Sequence, residues 1–279
     1  MITTGHLRTN SSALGNGMSS SGSGSRPPTY DRQLLLGDAK RNTVLELWEV
    51  QQYGRDSYGD ADYVSIYGMS PSLWYAKGVR LLGRTAVECT RDQLAEAIAR
   101  DVADLVGTSS AMRGAFVVDL FAGSANTLYW ILHHLPHTEG LGFELDPMIW
   151  DVTRRNLATL SMPINIANTD YASGLADLAL GREQLLIAFI APPWGDALSH
   201  DLGLNLRRTA PPVMRVLGDL VDRFPTNRLL CAVQVYELVD PTSLAELRQC
   251  FDWSTLHVYS LNAAGANHGT LFGTRGWVP

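Results

Sequence analysis

From Thr90 onward, short apolar runs alternate with segments of helical periodicity. Buried strands read as continuous apolar runs and amphipathic helices repeat every three to four residues, so the alternation indicates β/α units. Such units build a doubly wound, Rossmann-like α/β sheet, mostly parallel and here seven-stranded, with ligands bound outside the carboxyl ends of its strands. The expected strands are 116–120, 140–144, 164–167, 185–190, 229–235, 255–261 and 270–274. The expected helices are 90–106, 211–223, 240–250, and two that begin near Thr127 and at Asp146-Pro147.

Two further segments precede this domain, which we assign to residues 90–279. Residues 1–29 are rich in Ser and Gly and have too little apolar surface to offset the entropy of ordering, so we expect a disordered tail. Residues 30–89 form an N-terminal arm with a predicted helix over 42–52 and many aromatic rings. The rings either pack the arm onto the main domain or line a lid over a pocket for a flat ligand. The two interpretations are compatible.

Charge and cysteine content restrict the partners of the chain. The formal net charge is −6 and no basic stripe is visible, which argues against a long RNA or DNA substrate. The cysteines, Cys89, Cys231 and Cys250, form no C-x-x-C pair, so we expect neither disulfides nor a metal site. No apolar run approaches membrane-spanning length and no apolar secretory core is visible, so we expect a cytoplasmic protein without membrane contact. The sequence does not indicate an oligomeric state.

Acidic residues follow three successive predicted strands. Asp119 ends the first strand and leads into a loop in which Gly123 lets the backbone approach a ligand. Glu144 ends the second strand, where a carboxylate can accept both hydroxyls of a ribose, and Asp170 follows the third, within reach of an adenine amino group. Each acid alone is more often a helix cap or a solvated charge. Together they predict a site for S-adenosylmethionine (SAM), while the absence of G-x-G-x-x-G disfavours a dinucleotide.

The fourth strand runs into Ala191-Pro192-Pro193-Trp194. Proline fixes φ and removes a backbone donor, so this loop is stiff and presents carbonyl groups. Amino-methyltransferases of nucleic acids carry a D/N/S-P-P-Y/F/W signature at this place, where the aromatic ring stacks on a flat substrate. The alternative is a proline-rich surface turn with a packed tryptophan.

With these motifs, the chain from Tyr75 to its end resembles the trimethylguanosine-synthase family of cap guanine-N2 methyltransferases. The matching segments are Gly78-Val79-Arg80-Leu81, Val87-Glu88-Cys89-Thr90-Arg91-Asp92, Asp119-Leu120-Phe121-Ala122-Gly123 with Asn126-Thr127, Glu144-Leu145-Asp146-Pro147 with Asn156, Asp170-Tyr171, and Pro192-Pro193-Trp194-Gly195.

The resemblance implies a role for each matched position. Asp119 and Gly123 would bracket the methionine part of SAM, Glu144 would hold the ribose and Asp170 the adenine. Trp194 would stack on the acceptor. The remaining cofactor contacts that the motifs imply are Thr90, Phe121, Tyr171, Ala191 and Pro192.

Departures from the family pattern concern the acceptor. Ala191 replaces a polar residue that could bond the target amine, Ala86 replaces a tryptophan, and the loop after Gly123 is one residue shorter. Some bacterial proteins that look like this family C-methylate an indole ring instead. The first hypothesis is therefore a methyltransferase acting on a small planar aromatic such as an indole.

The second hypothesis is a guanine-N2 methyltransferase acting on RNA or a nucleotide. A third, a scaffold that has lost its chemistry, is disfavoured because the acids at the strand ends are all present. If the ring N–H must be lost as a carbon attacks, a general base would help. The candidates are Glu237, Asp196 and His200, with His268 a weaker one, and each could equally be an exposed loop charge.

Overall fold

The structure, a computed structural model, describes residues 29–107, 114–199, 201–261 and 268–279. The predicted disordered tail (apart from Thr29), the candidate base His200 and the predicted turn near 263–265 lie outside the described residues. The helices are α1 (Arg32–Leu36), α2 (Leu47–Tyr58), α3 (Pro71–Ala76), α4 (Gly83–Glu88), α5 (Asp92–Gly107), α6 (Asn126–His134), α7 (Pro147–Thr159), α8 (Tyr171–Asp177), α9 (Val213–Arg223) and α10 (Pro241–Gln249). The strands are β1 (Phe116–Asp119), β2 (Glu139–Glu144), β3 (Asn165–Asn168), β4 (Leu186–Ile190), β5 (Leu198–Ser199), β6 (Gly203–Leu204), β7 (Leu229–Tyr236), β8 (Trp253–Tyr259) and β9 (His268–Arg275).

Seven strands form one sheet in the order β3-β2-β1-β4-β7-β9-β8, while β5 and β6 form a separate hairpin. All neighbours are parallel except where β9 runs antiparallel between β7 and β8. The strand order reverses between β1 and β4, which are parallel neighbours in the middle of the sheet. This confirms the predicted doubly wound fold, and in such sheets the reversal point is where ligands bind.

Both faces of the sheet are covered, which explains why β4 is an unbroken apolar run and why β7 is apolar except at Gln234 and at Tyr236, its last residue. Side chains alternate along β4, so Ile187 and Phe189 pack with α5 and α6 while Leu186 and Ile190 pack with α8 and α9. The carboxyl ends of β1, β2, β4 and β7 are left facing the loops that carry the predicted site residues.

Several predicted boundaries were wrong by two residues or more. Helix α9 begins at Val213 rather than 211, and β8 spans Trp253–Tyr259 rather than 255–261. The arm helix spans Leu47–Tyr58 rather than 42–52, because Glu46 and Glu49 form a capping box at its start and Gly59 ends it in the left-handed conformation. Helix α5 begins at Asp92 rather than Thr90. The Thr90 hydroxyl does not cap it but donates to Gln234 Oε1 at 2.8 Å.

The arm packs around a cluster of buried residues that includes Tyr53, Tyr67 and Trp74 and extends to Ala125 and Leu157 of the main domain. The Trp74 indole N–H donates to the Val64 carbonyl at 3.0 Å. The arm also contacts the loop after β1, since the Tyr67 hydroxyl donates to the Ser124 carbonyl. Within the described ranges, no helix combines the length and the apolar character needed to cross a membrane.

Candidate functional site

Glu144 connects the loops that follow β1 and β2. One carboxylate oxygen accepts from the Gly123 amide at 2.9 Å, and the other accepts from the Asp146 amide at 2.8 Å. Gly123 adopts φ +51°, and a Cβ added there would meet only the Phe121 carbonyl oxygen, at 3.9 Å. Gly123 and Glu144, both predicted to contact one ligand, are therefore hydrogen-bonded to each other, and the backbone at Gly123 borders open space.

Asp119 is buried at the end of β1, with 1% of its surface exposed. Among the described residues, its carboxylate has one hydrogen bond, from the Phe121 amide at 3.1 Å. Burial, together with the negative charge of Glu144, raises the pKa of Asp119 to about 7, and burial also raises the pKa of Glu144. Two neighbouring acids with raised pKa values form a site that a cation would stabilise.

A buried network fixes the segment before α5 against the loop after β1. The Asn126 side-chain amide donates to the Thr90 carbonyl at 2.8 Å and to Asp92 Oδ1 at 3.1 Å, and its oxygen accepts from the Tyr67 amide. Thr90 bonds Gln234 of β7 in turn. The predicted cofactor neighbour Thr90 thus lies at the carboxyl edge of the sheet, hydrogen-bonded to the start of α6 and to β7.

Asp170, Tyr171 and Phe121 lie on the β3 side of this edge. Asp170 caps α8, and its Oδ1 accepts from the Ala172 and Ser173 amides, each at 3.0 Å. Hydrogen bonds at Ser173 hold the pKa of Asp170 below its usual range. The Tyr171 hydroxyl donates to Asp219 Oδ2 at 2.7 Å, and its ring lies 5.6 Å from that of Phe121. The predicted roles of these residues toward adenine stay predictions.

The Pro-Pro-Trp loop leaves β4 with Pro192 buried and Pro193 exposed. Trp194 is half-buried, and its ring lies nearly parallel to His268 with centroids 5.7 Å apart and edge-on to Tyr236 at 6.3 Å. Gly195, with φ +47°, then starts a single 3-10 turn. Trp194 thus packs against the last residue of β7 and the first residue of β9.

The described candidate bases differ in burial. Asp196 and Glu237 are exposed, and Glu237 hydrogen-bonds the Tyr236 hydroxyl. His268 starts β9 beside Trp194, and burial together with the Arg91 charge lowers its pKa to about 4, so it is neutral at pH 7. The weakest sequence candidate is therefore the one that the fold places against the Pro-Pro-Trp loop.

Sequence reasoning missed Arg84 and Gln234, and it assigned no role to Asn126, although Asn126 belongs to a matched motif. Arg84 is buried and pairs with Asp146 at 2.6 Å, which positions the turn after Glu144. Asn126 and Gln234 hold Thr90 from two directions. Gln234 had a signal, because it is the single polar residue in the apolar run of β7.

No family model matches the chain, and no curated protein matches it either. Among solved structures, the N-terminal domain of human METTL16 in complex with SAH superimposes with a TM-score of 0.50 at 15% identity, covering 89% of this chain and 94% of that one. A METTL16 MTase domain gives a TM-score of 0.50 at 14% identity, covering 67% and 70%. The chain therefore has the fold of these methyltransferase domains.

Proposed function

We propose that the chain is a SAM-dependent methyltransferase that acts on a planar aromatic acceptor of small-molecule size. The observation that supports this most is the joining of Asp119, Gly123 and Glu144 at the strand-order reversal, next to a strand that ends in Pro-Pro-Trp. The METTL16 domain that shares the fold contains SAH, the product left when SAM has given up its methyl group.

The residues present fit SAM. SAM brings an ammonium group and a sulfonium, and the site offers the buried carboxyl of Asp119 beside the partly buried carboxyl of Glu144. Burial raises the pKa of both carboxyls, and a cationic ligand would favour their ionised forms. The open space above Gly123 admits a ligand against the backbone. Glu144 uses one lone pair on each oxygen for a backbone amide, which leaves acceptor capacity for ribose hydroxyls.

When bound, SAM supplies an electrophilic methyl group, and the protein contributes mainly positioning. Asp119 would bind the ammonium group, Glu144 the ribose and Asp170 the adenine edge. Trp194 would hold the acceptor ring. Small-molecule acceptors such as indoles are favoured because the net charge is −6 and Ala191 offers no polar side chain for an exocyclic amine.

The decisive experiment is incubation of the purified chain with labelled SAM and three acceptor sets: indoles, nucleosides and capped RNA. Products are read by mass, and the methylated atom by fragmentation. Methylation of an indole carbon supports the proposal. Methylation of guanine at N2 selects the alternative, and a failure to bind SAM or SAH by calorimetry refutes the methyltransferase assignment itself.

Glu144→Gln is expected to weaken SAH binding by about 5- to 150-fold, the range for loss of charge-assisted hydrogen bonds worth about 1–3 kcal/mol. An amide has one acceptor oxygen, so it cannot serve the Gly123 and Asp146 amides together with a ribose. The measurement is titration calorimetry with SAH. Glu139→Gln, at the exposed start of the same strand, is the matched control, and equal affinity in both variants would remove Glu144 from the cofactor site.

A further inference from the structure

A second feature of the carboxyl edge is a cavity of about 350 Å³ between the arm and the sheet. Its lining includes Tyr58 and Tyr63 of the arm, Arg91 before α5, and Tyr259, Leu261 and His268 of the last strand pair. His268 also stacks on Trp194, so its imidazole both lines the cavity and contacts the Pro-Pro-Trp loop. Its volume lies at the lower end of the range for small-ligand sites, which suits one or two fused rings with a short side chain.

Arg91 gives this cavity a positive charge. Its guanidinium carbon lies 3.5 Å from the Tyr63 ring centroid and 5.3 Å from that of Tyr58, and these two rings stack on each other at 3.4 Å. In the described part of the chain, no carboxylate lies within ion-pair distance of Arg91. Asp60 also lines the cavity, but it is exposed and accepts from the Asp62 amide at 2.8 Å.

Burial lowers the pKa values of both Arg91 and His268. Burial lowers the pKa of Arg91 to about 10, so the group stays a cation at neutral pH but is partly stripped of water. His268 is neutral, and within the described residues its buried Nδ1 has no hydrogen-bond partner. Arg91 and His268 line the same cavity, and a negatively charged ligand bound there would pair with the partly desolvated guanidinium.

We propose that this cavity binds the methyl acceptor and that Arg91 recognises a negatively charged group, a carboxylate or a phosphate, carried by the acceptor's aromatic ring. The inference rests on the proposed function, because it takes Trp194 as the place where the ring is methylated. The stacked Tyr58 and Tyr63 hold the guanidinium plane in place, and a planar fork binds either anion through two hydrogen bonds.

A single arginine also fits the acidic balance of the chain. A polyanion such as RNA is held by many cations along its backbone, whereas one enclosed guanidinium can hold one anionic group. The cavity is therefore suited to a free small molecule with one acidic group rather than to a segment of a nucleic acid chain.

The test compares two matched pairs of probes on protein saturated with SAH. Indole-3-acetate against indole-3-acetamide isolates a carboxylate, and guanosine monophosphate against guanosine isolates a phosphate. Titration calorimetry is expected to show at least tenfold tighter binding of the anionic member of one pair, and the preferred pair identifies the anion. In Arg91→Met, which keeps the aliphatic stem over Tyr63, that preference is expected to fall below twofold, and Arg91→Lys is expected to restore part of it.

Arg55→Met removes an exposed arginine from α2 of the same arm and serves as the control that keeps the preference. Equal binding within both pairs, no binding of any probe, or a preference that persists in Arg91→Met would overturn the inference. In those cases normal SAH binding leaves the proposed function standing. If the unaltered protein does not bind SAH, the proposed function itself is refuted, so the two failures are distinguishable.

Discussion

Replacing Trp194 with alanine is expected to lower turnover at least about a hundredfold while SAH affinity changes by less than about threefold. The ring follows two prolines at the end of β4 and lies against His268, whereas Gly123 and Glu144, the residues proposed for the nucleoside, follow β1 and end β2. Stacking on an aromatic contributes roughly 1–3 kcal/mol, and misplacing an acceptor by about an ångström can cost on the order of a hundredfold in rate. Turnover, SAH affinity and melting temperature are measured on the same samples.

Trp194→Phe is expected to recover part of the activity, because it keeps a smaller π face in the same position. Trp48→Ala, which removes a tryptophan that is 55% exposed on α2, controls for loss of an aromatic ring elsewhere. Trp194 is only half-buried, so we expect a small change in melting temperature. A large drop in melting temperature with normal turnover of the folded fraction would make Trp194 a packing residue and refute the stacking role.

The fold was predictable because its central strands are buried on both faces. β4 is an unbroken apolar run and β7 is nearly one, with Gln234 in its interior, and such runs alternating with amphipathic helices leave few arrangements other than a doubly wound sheet. Short elements were not predictable in the same way. Helix α8 has seven residues and the β5–β6 hairpin pairs only two residues on each side, so neither contains enough periods to leave a pattern.

The site was predictable in part, for a similar reason. Asp119 and Glu144 end strands, and topology alone brings strand ends together. The contacts that position them depend on packing between distant segments: Thr90 meets Gln234 across 144 residues, and Tyr67 meets Asn126 across 59. The cavity around Arg91 likewise joins the arm to the last strand pair. Spacing along one sequence does not report such contacts.

Asp119→Asn is expected to abolish SAH binding and, at pH 8, to raise the melting temperature of the ligand-free protein. Asparagine keeps an oxygen for the Phe121 amide but carries no charge. The pKa of Asp119 is about 7 when folded and about 4 when unfolded, so the folded state binds the proton more tightly. The free energy of unfolding therefore falls by on the order of 2–4 kcal/mol as pH rises from about 4 to about 7, and it stays low above pH 7.

The stabilisation by Asp119→Asn should accordingly be large at pH 8 and small at pH 4, where the native carboxyl is already protonated. SAH affinity of the unaltered protein should fall as pH drops below 7, because the ammonium group requires the ionised carboxylate. Melting temperatures with and without SAH at pH 4, 6 and 8 test all three expectations, with Asp104→Asn on the exposed face of α5 as the control. A structural Asp119 would behave in the opposite way, since its replacement would lower the melting temperature at pH 8 and leave SAH binding intact. The combination of lost binding with gained stability is the signature of a carboxylate that the fold holds for a cationic ligand.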